Sequence, residues 1–218
     1  MSMQSTLRTG GALRAAAVGK RFRRKVVLDR VSLEVGSGEA VALVGENGAG
    51  KTTLLRICAG TLEPDEGRVT ATGRVGYCPQ EPGLLDLLSA DEHLVLFGAA
   101  GGLASAEALE TGRVVLGGLG FPVGDRTLAR ELSGGARQKL NLALALLGEP
   151  SVLLLDEPYQ AFDRSAYVAF WEHVERWRGE RKAVVVVSHF LPDLGVVDRV
   201  VELAFPRSAQ HHGRGELR

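Results

Sequence analysis

Apolar and polar residues alternate from Val26 to Val35 (VVLDRVSLEV), the period-two pattern of a half-buried strand. GSGE (Gly36–Glu39) reads as a turn. The next stretch, AVALVG (Ala40–Gly45), is apolar throughout, which predicts a central parallel strand buried on both faces. A helix is expected from about Lys51 to Gly60, where glycine suits a left-handed cap, and Pro64 and Asp65 mark a loop. GRVTATGRVGYCPQ (Gly67–Gln80) predicts two short strands around a turn at Thr72 and Gly73.

The pattern changes from about Pro82 to Glu131, where Leu, Ala and Gly dominate. SADEHLVLFGAA and SAEALETGRVVLGGL carry helical spacing, so an inserted helical subdomain is expected at about 82–133. Ser89 and Ser105 are the expected N-caps, the first with Glu92 placed for a capping box. Beyond it come a helix over about Gly135–Leu147, a strand Val152–Leu155 and a helix over about Arg164–Trp177. An all-apolar strand, Ala183–Val187, and a last strand near Arg199–Leu203 follow. Buried strands alternating with helices predict an α/β chain with a mainly parallel core sheet. Residues 1–10 read as a loose tail, 11–205 as one domain carrying the insert, and 206–218 as a polar tail. The tail's adjacent His211 and His212 read as solvent-exposed filler rather than metal ligands.

Composition narrows the options. A chain of 218 residues with 45% hydrophobic and 24% charged residues is ordinary for a globular protein. Lys plus Arg balance Asp plus Glu at 26 each, so no net field draws in nucleic acid or anionic lipid, and no nucleic-acid partner is expected. The basic run KRFRRK (Lys20–Lys25) reads as a solvated face. Cys58 and Cys78 lack CxxC spacing and read as reduced, packed thiols of a cytosolic protein. Arg14 interrupts the only early small-apolar stretch, so no signal peptide is expected. The longest apolar runs are strand-sized, so work at a membrane would need a partner.

Three stretches carry candidate chemistry. Gly45–Thr52 fits G-x-x-x-x-G-K-[ST], where glycines turn backbone N–H groups toward phosphate oxygens at a helix N-terminus. Lys51 would reach the outer phosphates, and the Thr52 hydroxyl would bind Mg²⁺. SVLLLDEP (Ser151–Pro158) ends an apolar strand on Asp156 and Glu157; beside a phosphate loop, the first acid holds Mg²⁺ and the second orients or deprotonates a water. In ELSGGARQKLNLALALL (Glu131–Leu147), Ser133, Gly134 and Gly135 stand before a helix. They read either as a serine-capped helix start or as a second anion-binding helix end, which one nucleotide would use only if it belonged to another copy.

LSGG, the phosphate loop, the VLLLDEP strand and VVVVSH together resemble the nucleotide-binding subunit of ATP-binding cassette (ABC) transporters, from about Arg14 to Leu203. The resemblance implies a P-loop NTPase core with a mainly parallel sheet, an N-terminal antiparallel β part and the helical insert. It implies that Gly45, Asn47, Gly48, Gly50, Lys51, Thr52 and Thr53 wrap the phosphates of ATP. Gln80 would approach Mg²⁺ and the attacking water, Asp156 would support Mg²⁺, and Glu157 would be the catalytic base. His189 would contact the γ-phosphate, and Phe22 would lie against adenine. Ser133, Gly134 and Gly135 would bind the γ-phosphate of ATP held by the opposite subunit, in a head-to-tail homo- or heterodimer. Tyr159–Asp163 (YQAFD) departs from the family pattern by placing Phe162 where Leu is usual.

The function so implied is ATP hydrolysis that powers separate multi-span membrane subunits, with this chain peripheral on the cytoplasmic face. LSADEHLVLFGAAGG resembles the segment of export-type members, so export is favoured. The chain stops soon after its last strand, so no regulatory domain is expected. The alternative is a soluble ABC ATPase of the iron–sulfur assembly type. Glu157 and His189 argue against a regulator without turnover.

Overall fold

A computed structural model describes residues 12–188 and 196–206. Its two sheets follow from two kinds of strand. β1 (Leu13–Phe22) and β2 (Lys25–Val35) form an antiparallel hairpin from Leu13↔Val35 to Phe22↔Lys25. β4 (Glu66–Ala71) lies along the other side of β1, giving a three-stranded sheet β2-β1-β4. The second sheet is parallel in the order β5-β6-β7-β3-β8. Its strands are β3 (Ala40–Val44), β5 (Val75–Cys78), β6 (Val152–Asp156), β7 (Ala183–Val187) and β8 (Arg199–Glu202).

The sequence pattern overlooks β1, and its geometry shows why. Leu13 and Ala15 are buried at period two, but the next buried residue is Val18, because register shifts against β2 interrupt the ladder there. Ala17 sits at φ 48, and its N–H bonds the Ser32 hydroxyl at 2.9 Å. A bulge of this kind erases the alternation that would announce a strand. The two strands expected within Gly67–Gln80 form; β4 joins the antiparallel sheet and β5 becomes the edge of the parallel one, so the turn between them crosses from sheet to sheet.

The central strands are apolar throughout because each is buried twice. Val41, Leu43, Val152, Leu154, Val185 and Val187 face one core, shared with the antiparallel sheet and α1 (Lys51–Cys58). Ala40, Ala42, Leu153, Leu155, Val184 and Val186 face the other, under α4 (Gly134–Leu146) and α5 (Arg164–Gly179). Alternation of side chains across a strand divides the residues this way. Each large apolar side chain taken fully out of water contributes about 1.5–3 kcal/mol. Phe170, fully buried, anchors the second core with Trp171 at 5.0 Å between ring centroids.

Between β5 and α4 lie α2 (Ala90–Ala100) and α3 (Ser105–Gly118), which pack on α4 through Leu94, Leu116, Phe121, Leu140 and Ala143. The capping box at Ser89 and Glu92 is present. The cap expected at Ser105 is not: Ala104 occupies the N-cap position with extended backbone, and Ser105 is already the first helical residue. The basic residues Arg21, Arg23, Arg24 and Lys25 are exposed, while Lys20 pairs with Asp65 at 2.8 Å. Both thiols are buried, and burial pushes Cys58 up to about 12 and Cys78 above its ordinary range, so neither is a nucleophile at neutral pH. Among the described residues, no helix is long and apolar enough to cross a membrane.

Candidate functional site

β3 ends at Val44 and α1 begins at Lys51, so the glycine-rich loop joins a buried strand to a helix N-terminus. Gly50, the residue before α1, has φ 101. A Cβ there would lie 2.8 Å from Leu28 Cδ2 and 3.0 Å from the Val27 carbonyl oxygen, so the loop is pressed against β2 where only hydrogen fits. Gly50→Ala is expected to cost about 1–3 kcal/mol, from left-handed strain plus displacement of β2. Differential scanning fluorimetry should show a melting point lower by roughly 2–4 °C per kcal/mol. An unchanged melting point would mean that the loop has slack.

Lys51 is buried although charged. Its ammonium donates to the carbonyls of Gly45 at 2.7 Å and Glu46 at 3.1 Å, which holds it across the mouth of the loop. The loop opens into a cleft of about 730 Å³. Asn47, Gly48, Gly50, Lys51, Thr52 and Thr53 line it, together with Phe22, Gln80 and Glu157 from three other parts of the chain. Gly45 lies at the loop's entrance, outside that lining, with its carbonyl on the lysine. Phe22 is 46% exposed, and the Lys20 ammonium lies 5.7 Å from its ring, so a flat apolar face stands at the cleft's rim.

Asp156 closes β6 and is fully buried, whereas Glu157 reaches the cleft. The chain turns between them through a left-handed Glu157 at φ 50, with the Glu157 N–H bonded to the Val187 carbonyl at 3.2 Å. A non-glycine residue held in this region is strained, and such strain is concentrated at functional positions. Burial, and secondarily the nearby Asp156 carboxylate, push the Tyr77 hydroxyl up to about 12. The oxygen donors of Thr52 and Gln80, with Asp156 behind the cleft, fit Mg²⁺, a hard cation that takes few protein ligands and keeps waters and phosphate oxygens.

Sequence reasoning missed three residues of the cleft: Lys25, Val27 and Gln160. The first two arrive by strand register, since Lys25 pairs with Phe22 across the hairpin. Gln160 follows from the tight turn in which its N–H bonds the Glu157 carbonyl at 3.1 Å. His189 lies outside the described residues, the last before it being Ser188, which accepts a 2.5 Å hydrogen bond from the Tyr159 hydroxyl. The unusual Phe162 packs on the second core, with the Lys139 ammonium of α4 5.9 Å from its ring.

Ser133, Gly134 and Gly135 do not join the cleft. Ser133 caps α4, its hydroxyl accepting from the Ala136 N–H at 3.2 Å, and both Ser133 and Gly134 are exposed. The two readings of this stretch are therefore compatible: the serine caps the helix and still presents an open N-terminus. Gly135 is needed for packing, since a Cβ there would lie 2.6 Å from the Ala161 carbonyl oxygen.

Comparison with known proteins agrees with this architecture. Residues 28–160, more than half of the chain, match the family described as ABC transporter. The aliphatic sulfonates import ATP-binding protein SsuB 1 of Mesorhizobium japonicum is 35% identical over 200 residues, covering 88% of this chain and 75% of that protein. The Nod factor export ATP-binding protein I of Sinorhizobium fredii is 33% identical, covering 84% of this chain and 57% of its own length. Mouse ATP-binding cassette sub-family A member 7 is 36% identical over 185 residues; the chain spans only 9% of that protein and 8% of its rat counterpart. Among solved structures, an ATP-binding subunit of an ABC transporter superposes with a TM-score of 0.80 at 28% identity, covering 88% of this chain and 85% of the other. MJ0796, a bacterial ABC transporter cassette in a dimeric structure, shares the fold at a TM-score of 0.78 and 24% identity, over 88% and 94% of the two chains. A phosphate loop and an acidic strand end facing one cleft, within a chain that matches this family over most of its core, show that the protein belongs to the ABC transporter family as one of its ATP-binding cassettes.

Proposed function

We propose that this cassette binds MgATP in the cleft and hydrolyses it between two head-to-tail copies, and that the cycle powers separate membrane subunits. The observation that supports the reading is that the candidate residues fall in two separate places. The loop, Gln80 and Glu157 share one cleft, while the open N-terminus of α4 at Ser133 and Gly134 lies outside it.

In this reading Phe22 stacks on the adenine and the loop's N–H groups hold the phosphates. Lys51 exchanges its bonds to the Gly45 and Glu46 carbonyls for phosphate oxygens. Thr52, Gln80 and Asp156 would hold Mg²⁺, which when bound neutralises charge on the phosphates. Glu157 accepts a proton as a water oxygen bonds to the γ-phosphorus and the bond to the ADP oxygen breaks. The partner's α4 N-terminus steadies the charge of the departing phosphoryl group, and His189 of the same chain contacts it. ATP favours the closed pair because only closure brings both half-sites to one nucleotide. Membrane partners would receive that motion through α2 and α3. The relatives include one named for import and one for export, so the export preference rests on the LSADEHLVLFGAAGG segment, which forms α2 and its cap.

Mixing two disabled variants tests the shared site. Lys51→Ala ruins the loop and leaves α4 intact. Gly134→Asp places a carboxylate at the α4 N-terminus, where a Cβ meets only ordinary contact at 3.8 Å, and leaves the loop intact. Each homodimer is expected to be inactive, whereas the mixed pair retains one complete site of two and recovers up to about half of the wild-type ATPase rate per dimer. A mixture as inactive as its components would refute head-to-tail sharing.

A further inference from the structure

The loop that brings Gln80 into the cleft begins where β5 ends at Cys78, and its hold on the protein is specific. The Asn141 amide, on α4 and buried, donates to the Pro79 carbonyl at 2.7 Å. That carbonyl belongs to the peptide plane joining Pro79 to Gln80, so the bond fixes the direction in which the chain enters Gln80. Farther along, the Leu85 N–H donates to Nε2 of His93, a fully buried ring whose Nδ1–H donates to the Ser89 carbonyl at 2.8 Å. Arg137, one turn before Asn141 on α4, lies 3.5 Å from Asp86 and donates to the Ala129 carbonyl. The segment carrying Gln80 is thus tied on both sides, and the tie nearest Gln80 comes from α4, the helix that Ser133 caps.

We infer that Asn141 is a positioning residue for Gln80: its amide holds the Pro79–Gln80 peptide plane so that the Gln80 side chain stands in the cleft beside Glu157. The inference rests on the role proposed above for Gln80, and it assigns Asn141 a task that packing alone does not require. An apolar side chain would fill the same space but leave the Pro79 carbonyl without this donor. The consequence falls on chemistry more than on affinity, because the loop around Lys51 is held independently by β2 and β3. A small misplacement of a group at the reacting centre costs rate steeply.

A double-mutant cycle with Gln80→Ala decides the matter. In the full chain, Asn141→Ala is expected to lower kcat about tenfold while KM for MgATP stays within about twofold. In the Gln80→Ala background the same change is expected to cost less than about twofold, because the residue it positions is gone. Asn141→Gln, which keeps an amide donor, should restore most of the loss. Hydrogen exchange of the amides from Gln80 to Leu85 should quicken in Asn141→Ala, giving a readout independent of turnover. Equal losses with and without Gln80, or a rise in KM that accounts for the whole effect, would overturn the inference while leaving the ATPase reading intact. Wild-type protein that binds MgATP but never hydrolyses it would sink both. Should Asn141→Ala fail to fold, Asn141→Leu fills the space without the donor, and the cycle is read on it instead.

Discussion

Lys51→Ala is expected to weaken MgATP binding by roughly 10²-fold and to reduce turnover to background. The ammonium bridges two loop carbonyls, Gly45 and Glu46, in the position from which it would meet the outer phosphates. A hydrogen bond to a charged group is worth about 1.5–3 kcal/mol, and each 1.4 kcal/mol is tenfold in affinity. Rate falls further, because the same charge faces the phosphoryl group as it departs, where loss of one preorganised donor costs about 10²–10³ in kcat. Equilibrium binding of a fluorescent ATP analogue, with a phosphate-release assay, separates the two terms. Binding within threefold of wild type would show that the loop's backbone alone holds the nucleotide and that Lys51 has been given the wrong task.

Glu157→Gln should behave in the opposite way. Nucleotide affinity is expected within a few-fold of wild type, while kcat falls by about 10²–10⁴, the contribution of a positioned general base. The substitution is isosteric and leaves the backbone bond from Glu157 N–H to the Val187 carbonyl in place, so the left-handed turn at φ 50 should persist. With hydrolysis blocked, MgATP is expected to trap a dimer, visible as a doubled mass by light scattering. Turnover at the wild-type rate would remove Glu157 from the role of base, whatever the state of association. Together the two variants distinguish a protein that cannot take up nucleotide from one that cannot release the closed state.

The strands most legible from residues alone were those with a simple environment. Ala183–Val187 is predicted to the residue because a strand covered on both faces tolerates no polar position, and β2 to within one residue because a strand covered on one face alternates. The phosphate loop was equally legible, since its glycines, lysine and threonine serve a local backbone shape. The Ser89 capping box was as well, because a cap is satisfied within one turn of helix. At Ser105 the same local rule failed: the serine is present, but the helix begins at that residue and extended Ala104 takes the cap position.

Local pattern determined these features because each is specified by neighbours within a few residues. Tertiary structure alone decided the rest. The bulge at Ala17 hid β1 by breaking its alternation, and pairing with distant partners sent β4 and β5 to different sheets. Lys25, Val27 and Gln160 joined the cleft through hairpin register and a tight turn rather than through any motif of their own. The bond from Asn141 to Pro79 spans 62 positions of the chain, and no periodicity marks a contact made across that distance. A motif can state which groups the chemistry needs. Where those groups stand relative to one another is set by long-range pairing and packing, which act between residues that no short window of sequence contains together.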